Sequence, residues 1–419
     1  MDTIFAEATP PGRGGVSIVR ISGPDARRVT EILCGSLPQA RFGYYRPVVD
    51  GDDAIDNALV IRFDKGASFT GEESCELQLH GAPVVVKRVG AALKAHGLRH
   101  AEAGEFTLRA FLSGRMDLAE IEGLSDLLSA ETEAQRKLAV ETSNGALGRL
   151  AEGWRQALVA AGALITASID FADEEIPEDV VEGLDDLIAD VRASISKQLD
   201  SFPATERLRN GFEVALVGAP NAGKSSLMNA IARRDIAIVT DQAGTTRDIV
   251  EFRADLHGLP VTFLDTAGVR QTDDTVEVIG IQRTRDRAAD ADLRIFLGKV
   301  PEEVEDLVAP DDMFIETRAD ISGDLEAISS VTGKGVDELL EAIFDRLQQR
   351  ISGLGVTSHA RQADALADAL TALDIPVSVP PEVKMEMLRE ATRNLERLVG
   401  RIDVEDYLGQ VFSSFCVGK

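Results

Sequence analysis

The feature that most constrains the fold is an apolar run that leads directly into a glycine-rich segment. The run is Glu213-Val-Ala-Leu-Val217, and Gly218-Ala-Pro-Asn-Ala-Gly-Lys-Ser225 follows it, fitting G-x-x-x-x-G-K-[ST]. A buried parallel strand, such a loop and a helix together cradle phosphates, because backbone N–H groups and the helix N-terminus face the anion. The junction therefore predicts a doubly wound α/β domain that binds a nucleoside triphosphate, with Lys224 on the β- and γ-phosphates and Ser225 on Mg²⁺.

Two further segments follow in the order expected of a GTPase. The strand Val261-Thr-Phe-Leu-Asp265 ends in a carboxylate and precedes Thr266-Ala267-Gly268. Asp265 is placed to act on Mg²⁺ through its water shell, and the Gly268 N–H can contact a γ-phosphate. Between the phosphate loop and this strand lies Gly244-Thr245-Thr246-Arg247-Asp248, where a threonine can close over Mg²⁺ when the γ-phosphate is present. The order predicts a nucleotide-dependent switch.

The segment expected to recognise the base departs from the usual Asn-Lys-x-Asp. Here Thr317-Arg-Ala-Asp320 follows the apolar run Met313-Phe-Ile315. Asp320 can accept from the guanine N1–H and N2–H groups, while Thr317 replaces the amide. The later segment Ser329-Ser-Val-Thr-Gly333 resembles the loop that completes a guanine pocket. Guanine is favoured over adenine as the base. Because the motif is altered, we expect reduced affinity or selectivity for GTP.

The residue after Asp-Thr-Ala-Gly is Val269, where many GTPases have a glutamine that orients the attacking water. Valine cannot do this, so another group must position water. Asn221 in the phosphate loop can help bind a monovalent cation, and Glu277 is the candidate for positioning water. Before any family resemblance is considered, the favoured interpretation of Glu277 is that it is one of 71 acidic residues on a solvated helix face.

Changes in the pattern of predicted strands and helices along the chain indicate a multidomain α/β and α+β protein. We expect an α+β domain at 1–115, the first part of a helical domain at 116–210, an inserted nucleotide-binding domain at 211–350, and the second helical part at 351–419. The insertion is an inference from helical patterns on both sides of the α/β segment.

Composition excludes several classes of protein. The chain has 419 residues and a net charge of −27, which on average repels a phosphate backbone, so a nucleic acid must meet a local basic patch or a more basic partner. No apolar run is long enough for a membrane span, and the N-terminus lacks a signal peptide, so we expect a cytoplasmic protein. Three cysteines, Cys34, Cys75 and Cys416, exclude a disulfide scaffold and lack metal-ligand spacing.

Several motifs beyond the phosphate loop make the chain recognisable. Thr9-Pro-Pro-Gly-Arg-Gly-Gly15, Ser68-Phe-Thr-Gly-Glu72, Gly104-Glu-Phe106, Asp170-Phe-Ala-Asp-Glu-Glu175 and the terminal Phe415-Cys-Val-Gly-Lys419 all occur. With the central domain, they resemble the MnmE family of tRNA-modification GTPases, also called TrmE, over essentially the whole chain. The resemblance implies an N-terminal tetrahydrofolate-binding and dimerisation domain, a helical domain and an inserted GTPase domain.

The resemblance also implies roles for individual residues. Glu277 matches the catalytic carboxylate, in place of the solvated face considered above. K⁺ is assigned to Asn221, Thr240, Gln242 and Thr245, and Mg²⁺ to Ser225 and Thr246. Folate contacts are assigned to Arg20, Glu76, Arg115 and Lys419, with Arg20 and Lys419 suited to a glutamate-tail carboxylate and Glu76 to pterin N–H groups. Arg115 stands where the family often has lysine. The full GTP site comprises Asn221, Ala222, Gly223, Lys224, Ser225, Ser226, Thr240, Gln242, Gly244, Thr245, Thr246, Asp265, Thr266, Ala267, Gly268, Asp320 and Ser330.

The resemblance finally implies cofactors, partners and a reaction. The family acts as a homodimer and joins MnmG, which uses FAD and NADH, in a heterotetramer that modifies C5 of the wobble uridine of certain tRNAs. A 5-formyl- or methylene-tetrahydrofolate supplies the one-carbon unit, and K⁺-stimulated GTP hydrolysis drives the cycle.

Some alternatives remain open. One is a ribosome-assembly type of GTP switch that binds RNA without altering a base, and another is a scaffold with a degenerate nucleotide site. Cys416 is a candidate nucleophile whose thiolate Lys419 could stabilise. Four arginines on one helical stretch, Arg389, Arg393, Arg397 and Arg401, could touch tRNA phosphates, although a solvated face is the favoured interpretation.

Overall fold

The structure of this protein is a computed structural model that describes residues 2–170, 178–219, 221–234, 236–238, 251–265, 285–286, 288–317, 327–351, 353–376, 378–402 and 418. The chain divides into two compact units. The first comprises Met1–Ser125, Ser143–Gln156 and Leu388–Lys419, and the second comprises Asp126–Thr142 and Ala157–Met387.

The first unit is built on a six-stranded sheet with the strand order β3-β4-β5-β2-β1-β6. Neighbouring strands are antiparallel, except that β1 and β6 are parallel. The strands are β1 (Ile4–Glu7), β2 (Ser17–Ser22), β3 (Tyr44–Asp50), β4 (Asp53–Phe63), β5 (Ser74–Leu79) and β6 (Arg99–His100).

Alternation along β2 gives the sheet two different faces. Val19 and Ile21 belong to the apolar core that also contains buried residues of α1 (Ala26–Cys34) and α2 (Pro83–Ala95). Arg20 lies on the opposite face, where a smaller apolar cluster includes Phe106 of α3 (Glu105–Leu112). A charged side chain in the middle of a sheet is thus placed beside α3 and away from the larger core.

Helices dominate the chain on both sides of the α/β segment. Before it come α4 (Leu118–Ser129), α5 (Glu133–Ser143), α6 (Ala146–Asp170) and α7 (Glu178–Asn210). After it come α10 (Ala360–Ala372) and α11 (Pro381–Leu398). Leu118 and Ile121 of α4 are fully buried.

The second unit contains a five-stranded sheet with the order β11-β10-β7-β9-β8. Its strands are β7 (Phe212–Gly218), β8 (Glu251–Leu256), β9 (Leu259–Asp265), β10 (Leu293–Leu297) and β11 (Met313–Ile315), and its helices include α8 (Lys224–Ala232) and α9 (Val336–Gln349). All neighbours are parallel except the β8–β9 hairpin. The predicted α/β and α+β multidomain fold class is confirmed.

The centre of this sheet explains where a ligand can bind. β7 lies between β9 and β10, and its Val214 and Leu216 are fully buried. After β7 the chain adds β8 and β9 on one side of it and then β10 and β11 on the other side, so the strand order reverses beside the carboxyl end of β7. Open α/β sheets bind ligands at such a switch point. Across the described residues, no helix is both long enough and apolar enough to cross a membrane.

Candidate functional site

The phosphate loop begins where β7 ends and closes at the first turn of α8. Asn221 and Gly223 adopt left-handed backbone conformations, with φ of 65° and 99°. Glycine adopts this conformation without strain and asparagine tolerates it better than most residues, which is why the loop can turn so tightly. Gly223 is the N-cap of α8, so the free N–H groups of the helix start at the loop.

Lys224 is held against this loop. Its Nζ donates to the carbonyl oxygens of Gly218, at 2.6 Å, and Ala219, at 3.0 Å. The residue is 4% exposed, and burial lowers the pKa of its ammonium group, although the charge of Asp265 acts in the opposite direction. An anion at the loop would replace those carbonyls as the partner of the ammonium group and would favour its charged form.

Ser225 and Asp265 meet on the same side of the loop. Ser225 Oγ donates to Asp265 Oδ2 at 2.6 Å, and Asp265 is 2% exposed at the end of β9. Ser225 and Asp265 are 40 positions apart in the sequence, and both were predicted to act on Mg²⁺. The structure brings them into contact. A hydroxyl and a carboxylate are oxygen ligands of the kind Mg²⁺ prefers, so these residues fit that ion.

The base-recognition side reaches the same loop through Thr317. Its Oγ1 donates to the carbonyl oxygen of Ala222 at 2.8 Å. Thr317 also forms a parallel bridge with Ile328, which leads into the loop that contains Ser330. Ser330 is half-buried in this turn, which is closed by a hydrogen bond from the Gly333 N–H to the Ser329 carbonyl.

In the first unit, Arg20 and Glu76 form an ion pair across β2 and β5. Arg20 Nε and Glu76 Oε1 lie 3.0 Å apart, and each side chain remains about one-fifth exposed, at 22% and 19%. The guanidinium carbon of Arg20 lies 5.3 Å from the ring centroid of Phe69 and 5.8 Å from that of Phe106. Arg20 and Glu76, two of the residues assigned to folate, are therefore adjacent on one face of the sheet.

The aromatic neighbours of Arg20 did not emerge as functional residues from the sequence. The available signal was that Phe69 and Phe106 each lie within a motif that carried the family resemblance, Ser68–Glu72 and Gly104–Phe106. An arginine over aromatic rings gains cation–π stabilisation and loses rotational freedom. The rings therefore orient the guanidinium beside Glu76.

The remaining described residues of this site lie near the same sheet. Arg115 is exposed, and its stem packs over Gly71, where a Cβ would come within 3.0 Å of Arg115 Cγ. Gly418, with φ of 108°, packs against the backbone of Glu7 and Ala8, and a Cβ there would lie 3.0 Å from Ala8 Cα. Since β1 pairs with β2, Gly418 lies against the strand next to the one that carries Arg20.

Ser226 lies in the first turn of α8 and is exposed. The other predicted site residues lie outside the described residues. They are Thr240, Gln242, Gly244, Thr245, Thr246, Thr266, Ala267, Gly268, Glu277, Asp320, Cys416 and Lys419.

A glycine-rich loop between a central parallel strand and a helix, with Ser225 and Asp265 adjacent, defines a P-loop nucleotide-binding protein of the GTPase type. Two family models match the chain: GTP-binding protein TrmE N-terminus over residues 3–115, and MnmE helical domain over 118–416. The tRNA modification GTPase MnmE of Paracoccus denitrificans is 58% identical over 100% of both chains, and that of Dinoroseobacter shibae is 48% identical over 100% of both. The chain belongs to the MnmE family of tRNA modification GTPases.

Proposed function

We propose that this protein is a K⁺-stimulated GTPase that works with MnmG to modify C5 of the wobble uridine of certain tRNAs, using a folate one-carbon unit. In this proposal the protein acts in the cytoplasm as a homodimer that joins MnmG in a heterotetramer. Folate binding and dimerisation are placed in residues 1–115, and GTP is placed in 211–350 between the two helical segments, 116–210 and 351–419.

The observation that carries the folate assignment is the Arg20–Glu76 ion pair, with Gly418 packed against the neighbouring strand. A pterin has N–H donors that a carboxylate accepts and a carbonyl oxygen to which a guanidinium donates. A touching Arg–Glu pair offers both functions in one place, so it suits the pterin end of a folate. Gly418 packs against the neighbouring strand, so Lys419, the next residue, is left for a carboxylate of the glutamate tail, and Arg115 serves as a second exposed cation.

The GTPase chemistry is assigned to the phosphate loop. Lys224 neutralises charge on the β- and γ-phosphates, and Asn221 contributes to a K⁺ site with Thr240, Gln242 and Thr245. Ser225 and Thr246 would hold Mg²⁺, which supplies charge neutralisation at the phosphates when it is bound. Glu277 positions the attacking water, since Val269 cannot.

Direct binding of 5-formyl-tetrahydrofolate to the full chain, measured by calorimetry, tests this function. We expect binding to the unaltered protein and a loss of at least about tenfold in affinity for Glu76→Gln, because a half-buried hydrogen-bonded charge is removed. Arg28→Leu is the matched control, since its ion pair with Asp25 is exposed and α1 packs on the face of the sheet opposite to Arg20. No folate binding in a protein that still hydrolyses GTP would favour the ribosome-assembly type of switch.

A second measurement addresses the cation. GTP hydrolysis in K⁺ is compared with hydrolysis in Na⁺ at equal ionic strength, for the unaltered chain and for Asn221→Ala. Stimulation by K⁺ that Asn221→Ala abolishes is expected. Equal rates in both salts would contradict the K⁺ assignment.

A further inference from the structure

The hydroxyl of Thr317 makes a contact that joins the two halves of the nucleotide site. Thr317 lies two residues beyond the end of β11, and Ala222 lies in the phosphate loop, 95 residues earlier in the chain. The distance from Thr317 Oγ1 to the carbonyl oxygen of Ala222 is 2.8 Å. Gly223 follows Ala222, and a Cβ added to it would lie 3.7 Å from Thr317 Oγ1. The base-recognition strand therefore touches the loop at the residue before the helix cap.

This bond constrains the direction of a phosphate-binding group. The carbonyl of Ala222 and the N–H of Gly223 belong to one planar trans peptide, so they point in opposite directions. Fixing the carbonyl therefore fixes the direction in which the Gly223 N–H donates. Gly223 has φ of 99°, a conformation that glycine adopts freely, so the bond from Thr317 further limits the orientations open to this peptide.

The same bond uses up the donor capacity of the side chain. A threonine hydroxyl has one proton, and here it is donated to Ala222. Guanine N7 and O6 are acceptors only, so the lone pairs that remain on Thr317 Oγ1 cannot bind either of them. A side-chain amide has two N–H groups and can serve the loop and the base together.

We propose that Thr317 is a positioning residue that ties the phosphate loop to β11, and that it leaves guanine N7 without a donor from this position. The hydroxyl can hold the phosphate loop, as the usual amide does, but it cannot also donate to the base. Thr317 then slows nucleotide dissociation by holding the phosphate loop. It does not contribute to the recognition of guanine N7.

Nucleotide dissociation tests the tether. Release of a fluorescent GDP analogue from the full chain is measured for Thr317→Val, which keeps the shape and removes the hydroxyl, and for Thr317→Ser, which keeps the hydroxyl. We expect release about fivefold faster for Thr317→Val and nearly unchanged for Thr317→Ser. Thr371→Val is the matched control, because its Oγ1 donates to a carbonyl, that of Ala367, at 2.9 Å within α10. Equal release from Thr317→Val and the unaltered chain would overturn the proposal, as would accelerated release from Thr371→Val.

A comparison of bases tests the second part of the proposal, that Thr317 gives guanine N7 no donor. A purely structural role of Thr317 would not change this readout. Affinities for GTP and for 7-deaza-GTP, which lacks the N7 acceptor, are compared in the unaltered chain and in Thr317→Asn. The unaltered chain is expected to bind both within about twofold, and Thr317→Asn to prefer GTP by about fivefold through its second N–H. An unaltered chain that already prefers GTP as strongly as Thr317→Asn does would overturn the proposal, and so would the absence of any GTP binding.

Discussion

Arg109 is the most heavily paired buried cation among the described residues, and its removal gives a prediction whose size follows from the structure. It is 4% exposed and contacts Asp2 at 2.8 Å, Glu72 at 3.0 Å and Glu105 at 2.9 Å. Burial alone would lower the pKa of Arg109, but hydrogen bonds and charges from Glu72 and Glu105 raise it overall. Arg109→Leu keeps the apolar bulk and leaves these carboxylates without this partner.

The three partners contribute unequally to the cost. Asp2 is 55% exposed, so its share is small. Glu105 is 13% exposed but keeps Arg99 at 2.7 Å, whereas Glu72 is 20% exposed and otherwise accepts from Ser22. Breaking a buried ion pair lowers the free energy of unfolding by about 3–5 kcal/mol. Because Glu105 keeps Arg99 and Glu72 keeps Ser22, we expect a loss of about 3 kcal/mol for Arg109→Leu. At about 2–4 °C per kcal/mol, Tm falls by about 6–12 °C.

Tryptophan fluorescence isolates this transition. Trp154 is the one tryptophan of the sequence and lies in the first unit at 5% exposure, so its emission follows the unfolding of the unit that contains Arg109. Urea and thermal unfolding are measured for Arg109→Leu and for Arg28→Leu, whose pair with Asp25 is exposed on both sides and whose loss is expected to be below about 1 kcal/mol. A loss below about 1 kcal/mol for Arg109→Leu as well would refute the reasoning.

Three further predictions concern the two sites and a buried acid. Ser225→Ala, which removes a proposed Mg²⁺ ligand beside Asp265, should lower GTP hydrolysis at limiting Mg²⁺ by at least about tenfold, and an unchanged Mg²⁺ titration would contradict it. Phe69→Leu should weaken folate binding about fivefold while Phe69→Tyr does not, because only the ring orients Arg20; equal calorimetric affinities would exclude this. Burial raises the pKa of Asp117 from 3.8 to about 6, so the folded state binds this proton more tightly and stability falls as the pH rises from about 4 to 6. Asp117→Asn should remove that fall, and unfolding free energies of the unaltered chain that are flat over this window would argue against it.

The phosphate loop was predictable because its determinants are local. An apolar strand, two glycines and a following helix lie within a short stretch, and the G-K-[ST] ending leaves few alternatives. The pairing of Ser225 with Asp265 was also within reach, since both residues follow from the order of strands in a doubly wound sheet. Local pattern and strand order therefore account for the phosphate half of the site.

Contacts set by register and by long sequence separation were not predictable in the same way. Arg20 meets Glu76 because β2 and β5 pair antiparallel with these two residues opposite each other, 56 positions apart. A single sequence shows two charges but not that they touch. The rings of Phe69 and Phe106 reach Arg20 from a loop and from α3, which no periodicity connects.

The contact of Thr317 changes what the altered base-recognition segment means. From the sequence, replacing an amide by a threonine weakens the case for a working GTP site and keeps a degenerate scaffold in view. An amide at this position has two separable tasks, holding the loop and reading the base, and the 2.8 Å bond to Ala222 retains the first. The bond keeps the loop in a conformation whose N–H groups can bind an anion, as a working nucleotide site requires. We therefore favour a site that retains its nucleotide. In the proposed function Asp320 accepts from the guanine N1–H and N2–H groups, so Asp320→Asn should reduce the affinity for GTP relative to that for xanthosine triphosphate.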